Sequence, residues 1–248
     1  MNDKVNAFGD LHVPGNPLIL YNIWDAGSAK AVSDAGAKAI ATGSWGVACS
    51  LGFKDGETLP LKSALENLQR IFSVTDLPVT IDMEAGYGDS PAEVGDSIAK
   101  AAAAGAVGIN IEDKNPATRQ MFDTSDAAAR IKAAAATGLW INARADQFIV
   151  TPKEEHGAAL VDAVIERAKT YADAGANSLF VPFLSEALLI EKLCAESPLP
   201  VNILMNPGVP EPRKLAELGV ARISYGHGPW AKAMKQLAED AKAAMGSR

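Results

Sequence analysis

The chain has 248 residues, 48% of them hydrophobic, with 23 basic against 30 acidic side chains and a formal charge of −7. That supports one sizeable core, while the lack of a basic run argues against a nucleic-acid partner and no stretch approaches the ~18 uninterrupted apolar residues of a membrane span. Cys49 and Cys194 lie far apart and set up no disulfide framework; with an N-terminus that lacks a basic segment followed by an apolar run, this leads to the expectation of a cytoplasmic protein.

Read in order, β-type runs are expected at 18–23, 39–42, 79–82, 108–112, 140–143, 178–181, 201–205 and 222–225. Helical patterns fall between and after them, at 26–35, 61–73, 91–104, 124–136, 157–174, 185–195, 211–218 and 229–244. A weak internal repeat links the units: an Ala-rich helix ends in glycine and an apolar strand follows, as in VSDAGAKAIATG, AAAAGAVGINIED, YADAGANSLFVP and LAELGVARISYG. Glycine is the expected residue just past a helix end. Eight such units in ~250 residues predict an α/β fold, a single (β/α)8 TIM barrel over residues 1–248. A doubly wound open sheet is the alternative, and the even spacing favours the barrel.

One connection is long, ~18 residues from 43 to 60 (GSWGVACSLGFKDGETLP), and is expected to fold over the barrel mouth as a loop carrying Asp55. Cys49 within it reads as a small apolar filler. His12 and His156 read as surface groups. His227, in SYGHGPW after the eighth strand, fits a tight turn or a glycine-rich phosphate loop. Trp230, Met234, Leu237 and Ala241 recur at helical spacing in the last helix and read as core.

In a barrel, chemistry gathers at the C-terminal strand ends. Here those ends hold Trp24 and Asp25, Ser44 and Trp45, Asp82 and Glu84, Glu112 to Lys114, Arg144 and Asp146, Asn206, and Tyr225. The densest stretch is PVTIDMEAGYG, a strand that runs into Asp82 and Glu84 and then turns through glycines. Carboxylates at the end of a buried strand are costly unless paired. Magnesium takes oxygen ligands, keeps several waters and needs only one or two carboxylates. The plainer alternative is a pair of strand-end acids, one of them capping the next helix. For Lys114 and Arg144 the plainer alternative is a salt bridge to Glu112 or Asp146.

Four pieces, GSWGVACSLGFKD, IDMEAGYG, INIEDK and NARAD, resemble in order and spacing the motifs of the isocitrate lyase/phosphoenolpyruvate mutase superfamily, and the resemblance runs from about residue 18 to residue 230. It implies Asp82 as direct ligand of Mg2+ (Mn2+ as a substitute), with Asp55, Glu84 and Glu112 holding the metal's waters. It implies Glu112, Lys114 and Arg144 as catalytic groups. Ser44, Trp45, Gly46 and Arg144 are the implied substrate-binding set, for a small 2-oxo or 2-hydroxy carboxylate; by their strand-end positions Trp24 and Asn206 join the substrate-binding candidates, though Asn206 equally fits the start of the turn before Pro207. The resemblance also implies a homo-oligomer, a tetramer whose last helix swaps between subunits.

The departures matter as much. After Glu112 the sequence reads EDKNPATRQMFDTSDAAARI, which contains neither the K-K/R-C-G-H lid of the superfamily's lyases nor the N-S-L lid of its phosphomutases. Thr118 and Arg119 remain as lid candidates, and Glu84 stands where aspartate is usual. The expected activity is therefore Mg2+-dependent C–C cleavage through an enolate, decarboxylation of an oxaloacetate-type acid. The alternatives are C–P chemistry on a phosphonopyruvate-like compound, a 2-methylisocitrate lyase-like reaction, and a non-catalytic carboxylate-binding barrel.

Overall fold

A computed structural model describes residues 3–246. Eight strands appear among them: β1 Leu18–Leu20, β2 Ile40–Ala41, β3 Val79–Asp82, β4 Gly108–Glu112, β5 Trp140–Arg144, β6 Ser178–Val181, β7 Val201–Leu204 and β8 Arg222–Ser224. The helices are α1 Asp3–Gly9, α2 Ala26–Asp34, α3 Ser44–Ser50, α4 Leu61–Phe72, α5 Pro91–Ala103, α6 Thr124–Ala135, α7 Gln147–Val150, α8 Ala158–Asp173, α9 Ala187–Glu196, α10 Pro212–Glu217 and α11 Gly228–Gly246. A short 3-10 turn spans Lys153–Glu155.

The strands pair in parallel in the order β1-β8-β7-β6-β5-β4-β3-β2. The two ends of that order meet. Ile23 bridges Thr42 in parallel, with Ile23 N donating to the Ala41 carbonyl at 2.9 Å and Gly43 N to the Ile23 carbonyl at 3.1 Å. The sheet therefore curls into a (β/α)8 TIM barrel, and the open doubly wound sheet is excluded. Parallel strands covered by helices are buried on both faces, as in β4, where all of GINIE is buried.

Local chemistry explains the helix ends. Ser90 and Glu93 form a reciprocal capping box at the start of α5, with Pro91 in its first turn. The glycines of the internal repeat, Gly36, Gly105, Gly175 and Gly219, all have positive φ, which is the left-handed turn that ends each helix and aims the chain into the next strand.

Several expectations need correction. β1, β2, β7 and β8 are shorter than their apolar runs. The 43–60 connection contains α3, so Cys49 lies on a helix. The N-terminal α1 has no counterpart among the expected helices: Val5 and Phe8 pack with Leu18, Leu20, Ala39, Ala41 and Val107 at the N-terminal end of the barrel. His12 follows that helix and is buried, not a surface group. Its ring stacks on Trp140, centroids 4.7 Å apart, and burial pushes its pKa down to about 3. His156 is half-buried against Phe148. The last helix is not core: within α11 only Pro229 is buried, and Leu237 and Met245 are 61% and 73% exposed. The helical spacing of its apolar residues is real, and only the start of that face is covered: Trp230 packs against Gly46 of α3 and Met234 is half-buried, while Leu237 and Ala241 are exposed. Among the described residues no helix is long and apolar enough to cross a membrane.

Candidate active site

β3 delivers Asp82 to the C-terminal mouth. Thr42 Oγ1 accepts from Asp82 N at 2.9 Å and fixes its backbone. The carboxylate accepts from the backbone N of Ser44, at the start of α3, at 3.2 Å, and from Glu84 N at 3.3 Å. Burial raises its pKa; Arg144 opposes the shift and Asp55 reinforces it.

Glu84 sits in a cradle. Its Oε2 accepts from Gly56 N and Glu57 N, both at 2.7 Å, and its Oε1 from the Tyr87 hydroxyl at 3.3 Å. Burial, then repulsion from Asp55 and Asp82, pushes its pKa up to about 8. Glu57, Glu84 and Tyr87 all have positive φ (56°, 48° and 54°), and each such non-glycine residue costs ~1–3 kcal/mol. Strain of this kind persists where the surroundings over-determine it. Here Tyr87 N donates to Glu57 Oε1 at 2.9 Å, so the three residues lock one another. The turn after them admits only glycine at 88, because a Cβ there would lie 2.6 Å from Val94 N.

The opposite wall is a charge cluster. Arg144 Nη1 pairs with Glu112 at 2.7 Å, and its Nε and Nη2 donate to Asp146 at 2.5 and 2.9 Å. Lys114 Nζ reaches Asp146 at 2.5 Å. Burial raises the Glu112 pKa to about 7 even though Arg144 opposes it. The salt-bridge alternative for Lys114 and Arg144 therefore holds, but Arg144 has five N–H groups and three are engaged, which leaves two for another acceptor. Behind Asp146 stands support whose role sequence reading did not assign: Asp113, named there only as a strand-end acid, accepts from Asp146 N at 2.8 Å, from Arg167 at 3.1 Å and from the Tyr171 hydroxyl at 2.5 Å.

Between these walls lies a cavity of about 260 Å³. Ser44, Trp45, Asp55, Asp82, Lys114 and Arg144 line it as expected. Arg119 and His227 join them, and His227 stacks on Trp45 with centroids 5.1 Å apart. Arg119 makes no ion pair among the described residues. Other expected residues stay outside. Trp24 packs against the cluster under α3 and its carbonyl accepts from Asn67 at 2.9 Å. Gly46 is a packing residue, since a Cβ there would lie 3.2 Å from the Cβ atoms of Trp24 and Trp230. Asn206 borders a neighbouring cavity with Lys153 and His156. Glu84 and Glu112 are set back behind Asp82 and Arg144. Another residue that sequence reading missed is Asn22, whose Nδ2 donates to the Thr42 carbonyl at 2.9 Å and whose Oδ1 accepts from Tyr225 N and Gly226 N at 2.9 and 2.8 Å.

Among the described residues no three His, Cys, Asp or Glu side chains are grouped to hold a metal, and of the four expected acids Asp55 and Asp82 line the cavity. This donor set suits a cation that takes one or two carboxylates and fills its remaining positions with water, which is magnesium's habit.

The fold and this mouth define a (β/α)8 barrel with an acid- and cation-lined pocket. The chain belongs to the phosphoenolpyruvate phosphomutase family, which it matches over residues 8–245. It is 30% identical to 2-methylisocitrate lyase of Salmonella typhimurium, over 78% of this chain and 71% of that one. It is 26% identical to oxaloacetate decarboxylase of Pseudomonas entomophila, over 92% and 80%. A crystal structure from Burkholderia cenocepacia J2315, to which phosphonomutase activity is ascribed, superimposes with a TM-score of 0.94 at 49% identity, covering 97% of this chain and 100% of that one.

Proposed function

We propose that the protein is a magnesium-dependent lyase that decarboxylates a small 2-oxo dicarboxylate of the oxaloacetate type. The observation that carries this reading is the 260 Å³ cavity, lined by Asp55 and Asp82 together with Lys114, Arg144 and Arg119, the last of which makes no ion pair among the described residues. A relative of the same family is named for this reaction. The connection after β4 has no cysteine or histidine, so it lacks the acid–base group of the superfamily's lyase lid. Decarboxylation makes the smallest demand on such a lid.

In this reading Asp82 holds the cation, with Asp55, Glu84 and Glu112 ordering its waters. When bound, the cation supplies Lewis acidity toward the substrate's carbonyl oxygen. The chain's own groups do the rest. The free N–H groups of Arg144 bind the carboxylate next to the carbonyl. Lys114, fixed by Asp146, contributes positive charge beside it. Arg119 holds the distal end of the acid. Breaking the C3–C4 bond releases CO2 and leaves its electron pair on the C2–C3 unit, where charge spreads onto the carbonyl oxygen facing these cations. His227 at the rim is suited to return a proton to C3, giving pyruvate.

The test is pyruvate formation from oxaloacetate, with Mg2+ and with EDTA, against the uncatalysed rate. A magnesium-dependent rate that Asp82→Ala abolishes, and for which Arg119→Ala raises KM more than it lowers kcat, supports the reading. Absence of any rate above background with oxaloacetate sinks the substrate. Release of inorganic phosphate from phosphonopyruvate would then carry C–P cleavage, the second reading, which the 49% identical structural neighbour favours. The protein is further proposed to be an oligomer, because α11 leaves apolar side chains uncovered.

A further inference from the structure

Arg222 is among the largest fully buried side chains of the described residues, at 0% exposure, and lies inside the barrel. Among the described residues no carboxylate lies within ion-pair distance of it. Its hydrogen-bond partners are neutral: Nη2 donates to Asn110 Oδ1 at 3.1 Å, Nε to Ser224 Oγ at 3.3 Å, and Nη1 has no partner. A buried cation without a counter-ion is expensive, and replacing such a group by an apolar one of similar size is often neutral or stabilising. The position of this one connects it to the cavity. Both Asn110 and Ser224 line that cavity, so the guanidinium lies beneath its floor. Burial lowers the Arg222 pKa to about 9, which still leaves it a cation near neutral pH, and Asp82 is the acid that favours its charged form.

The hydrogen bonds around Asn110 have a fixed direction. The Trp140 indole N–H can only donate, and it donates to Ser178 Oγ at 3.0 Å. The one hydroxyl proton of Ser178 then goes to Asn142 Oδ1 at 2.7 Å. Asn142 must therefore use its NH2 group toward Asn110 Oδ1, which it meets at 2.8 Å. Arg222, which also can only donate, arrives at the same oxygen from the other side. Two donors of settled polarity converge on Oδ1, so the Asn110 amide cannot flip without opposing donor to donor. Its Nδ2 is left with no acceptor among the described residues, on a side chain that lines the cavity.

We infer that Asn110 presents a fixed N–H donor to an oxygen of the bound carboxylate substrate, and that Arg222 is its positioning residue, locking the amide from beneath and adding positive charge under the anion. This rests on the proposal that the cavity takes a small 2-oxo acid. The cost of an uncompensated buried cation is then offset at the site and not in the fold.

The test uses the full chain with Mg2+ and oxalate as the probe, followed by calorimetry, together with thermal unfolding of each protein without ligand. Arg222→Met should unfold no earlier than the wild type, yet bind oxalate at least tenfold more weakly. Arg222→Lys, which keeps charge and a donor, should recover most of that loss. Asn110→Asp should raise the unfolding temperature, because it gives Arg222 a counter-ion, while weakening oxalate at least a hundredfold. Asn110→Ala should weaken oxalate about as much as Arg222→Met, and combining the two should cost little more than either alone. Wild-type protein that binds no oxalate with magnesium would overturn the carboxylate site and this inference together. Wild-type binding that both Asn110→Ala and Arg222→Met leave unchanged would overturn this inference alone. Should Arg222→Met fail to fold, Asn110→Ala and Asn110→Asp decide.

Discussion

Glu84 is held by two backbone N–H bonds of 2.7 Å that favour its charged form, yet burial and its acidic neighbours outweigh them and its pKa rises to about 8. Glu112 is displaced the same way, to about 7. A carboxyl whose folded pKa lies above its unfolded value, near 4.5, binds more protons when folded. Its contribution to stability is complete below the unfolded pKa and is lost as pH rises through the folded one. Each tenfold difference in proton affinity between the two states is worth about 1.4 kcal/mol. The metal-free protein should therefore lose thermal stability between pH 5 and pH 8. Glu84→Gln should flatten that slope, and added Mg2+ should stabilise more at the alkaline end, where the acids are ionised. A metal-free unfolding temperature that rises steadily over this interval in both proteins would show that the two carboxyls do not titrate above their ordinary range. The acids themselves were legible in the sequence, because strand-end carboxylates beside glycine turns stand out as costly. Asn110, Arg222 and His12 were not. A polar side chain that points into a barrel interrupts an apolar run just as an outward-facing one does, and in a chain without coordinates nothing separates the two.

At the scale of elements, the mouth depends on how β1, β2 and β8 meet. Pairing between β1 and β2 amounts to a single bridge, and the Asn22 side chain supplies what the ladder lacks, joining the Thr42 carbonyl to the backbone N–H groups of Tyr225 and Gly226. Asn22 is 4% exposed, so water cannot readily replace it. Asn22→Ala removes three hydrogen bonds and leaves two N–H groups and a carbonyl unsatisfied, at about 1 kcal/mol for each bond and more where a group stays buried. A loss of ~2–4 kcal/mol in denaturant unfolding is expected, with weaker substrate binding because Gly43 and Gly226 both border the cavity. A loss below ~0.5 kcal/mol would mean that water or a shifted backbone takes over these bonds. The eight βα units were visible from the sequence because four of them repeat a helix, a glycine and an apolar strand, and evenly spaced β-type runs mark the others. α3 was not, since SWGVACS is seven residues of mixed character with glycine inside and an N-cap that makes no side-chain bond. What holds it is tertiary: Gly46 lets it approach Trp24 and Trp230, and its first N–H meets Asp82.

For the whole molecule, the barrel accounts for every strand but leaves one helix without a place. α11 runs from Gly228 to Gly246; its first turn packs on the barrel through Pro229 and Trp230, but its later apolar side chains are in solvent, Leu237 and Met245 above all. Elsewhere on the surface a cleft of about 530 Å³ opens beside β1, lined by Leu11, Val13, Ile19, Tyr21 and Val32. Val13, Ile19 and Tyr21 are 44%, 41% and 40% exposed there. Outward-facing β1 side chains in a closed barrel are normally covered by a helix, so both surfaces have apolar area without a partner. A second copy that lends its α11 to this region would cover both at once, and two equivalent exchanges close on themselves by symmetry. Burying apolar surface stabilises by ~25 cal/mol per Å², so hiding Leu237 and Ile19 favours association over a monomer of 25.9 kDa. In sedimentation the wild-type chain should run as an oligomer at micromolar concentration, and Leu237→Asp should shift it toward the monomer and lower its unfolding temperature in a concentration-dependent way. Ile19→Asp, placed on the other proposed surface, should do the same, whereas Lys232→Asp on the same helix, which removes no apolar side chain, should leave the mass unchanged. A wild-type chain that sediments as a 25.9 kDa monomer at every concentration would refute the exchange.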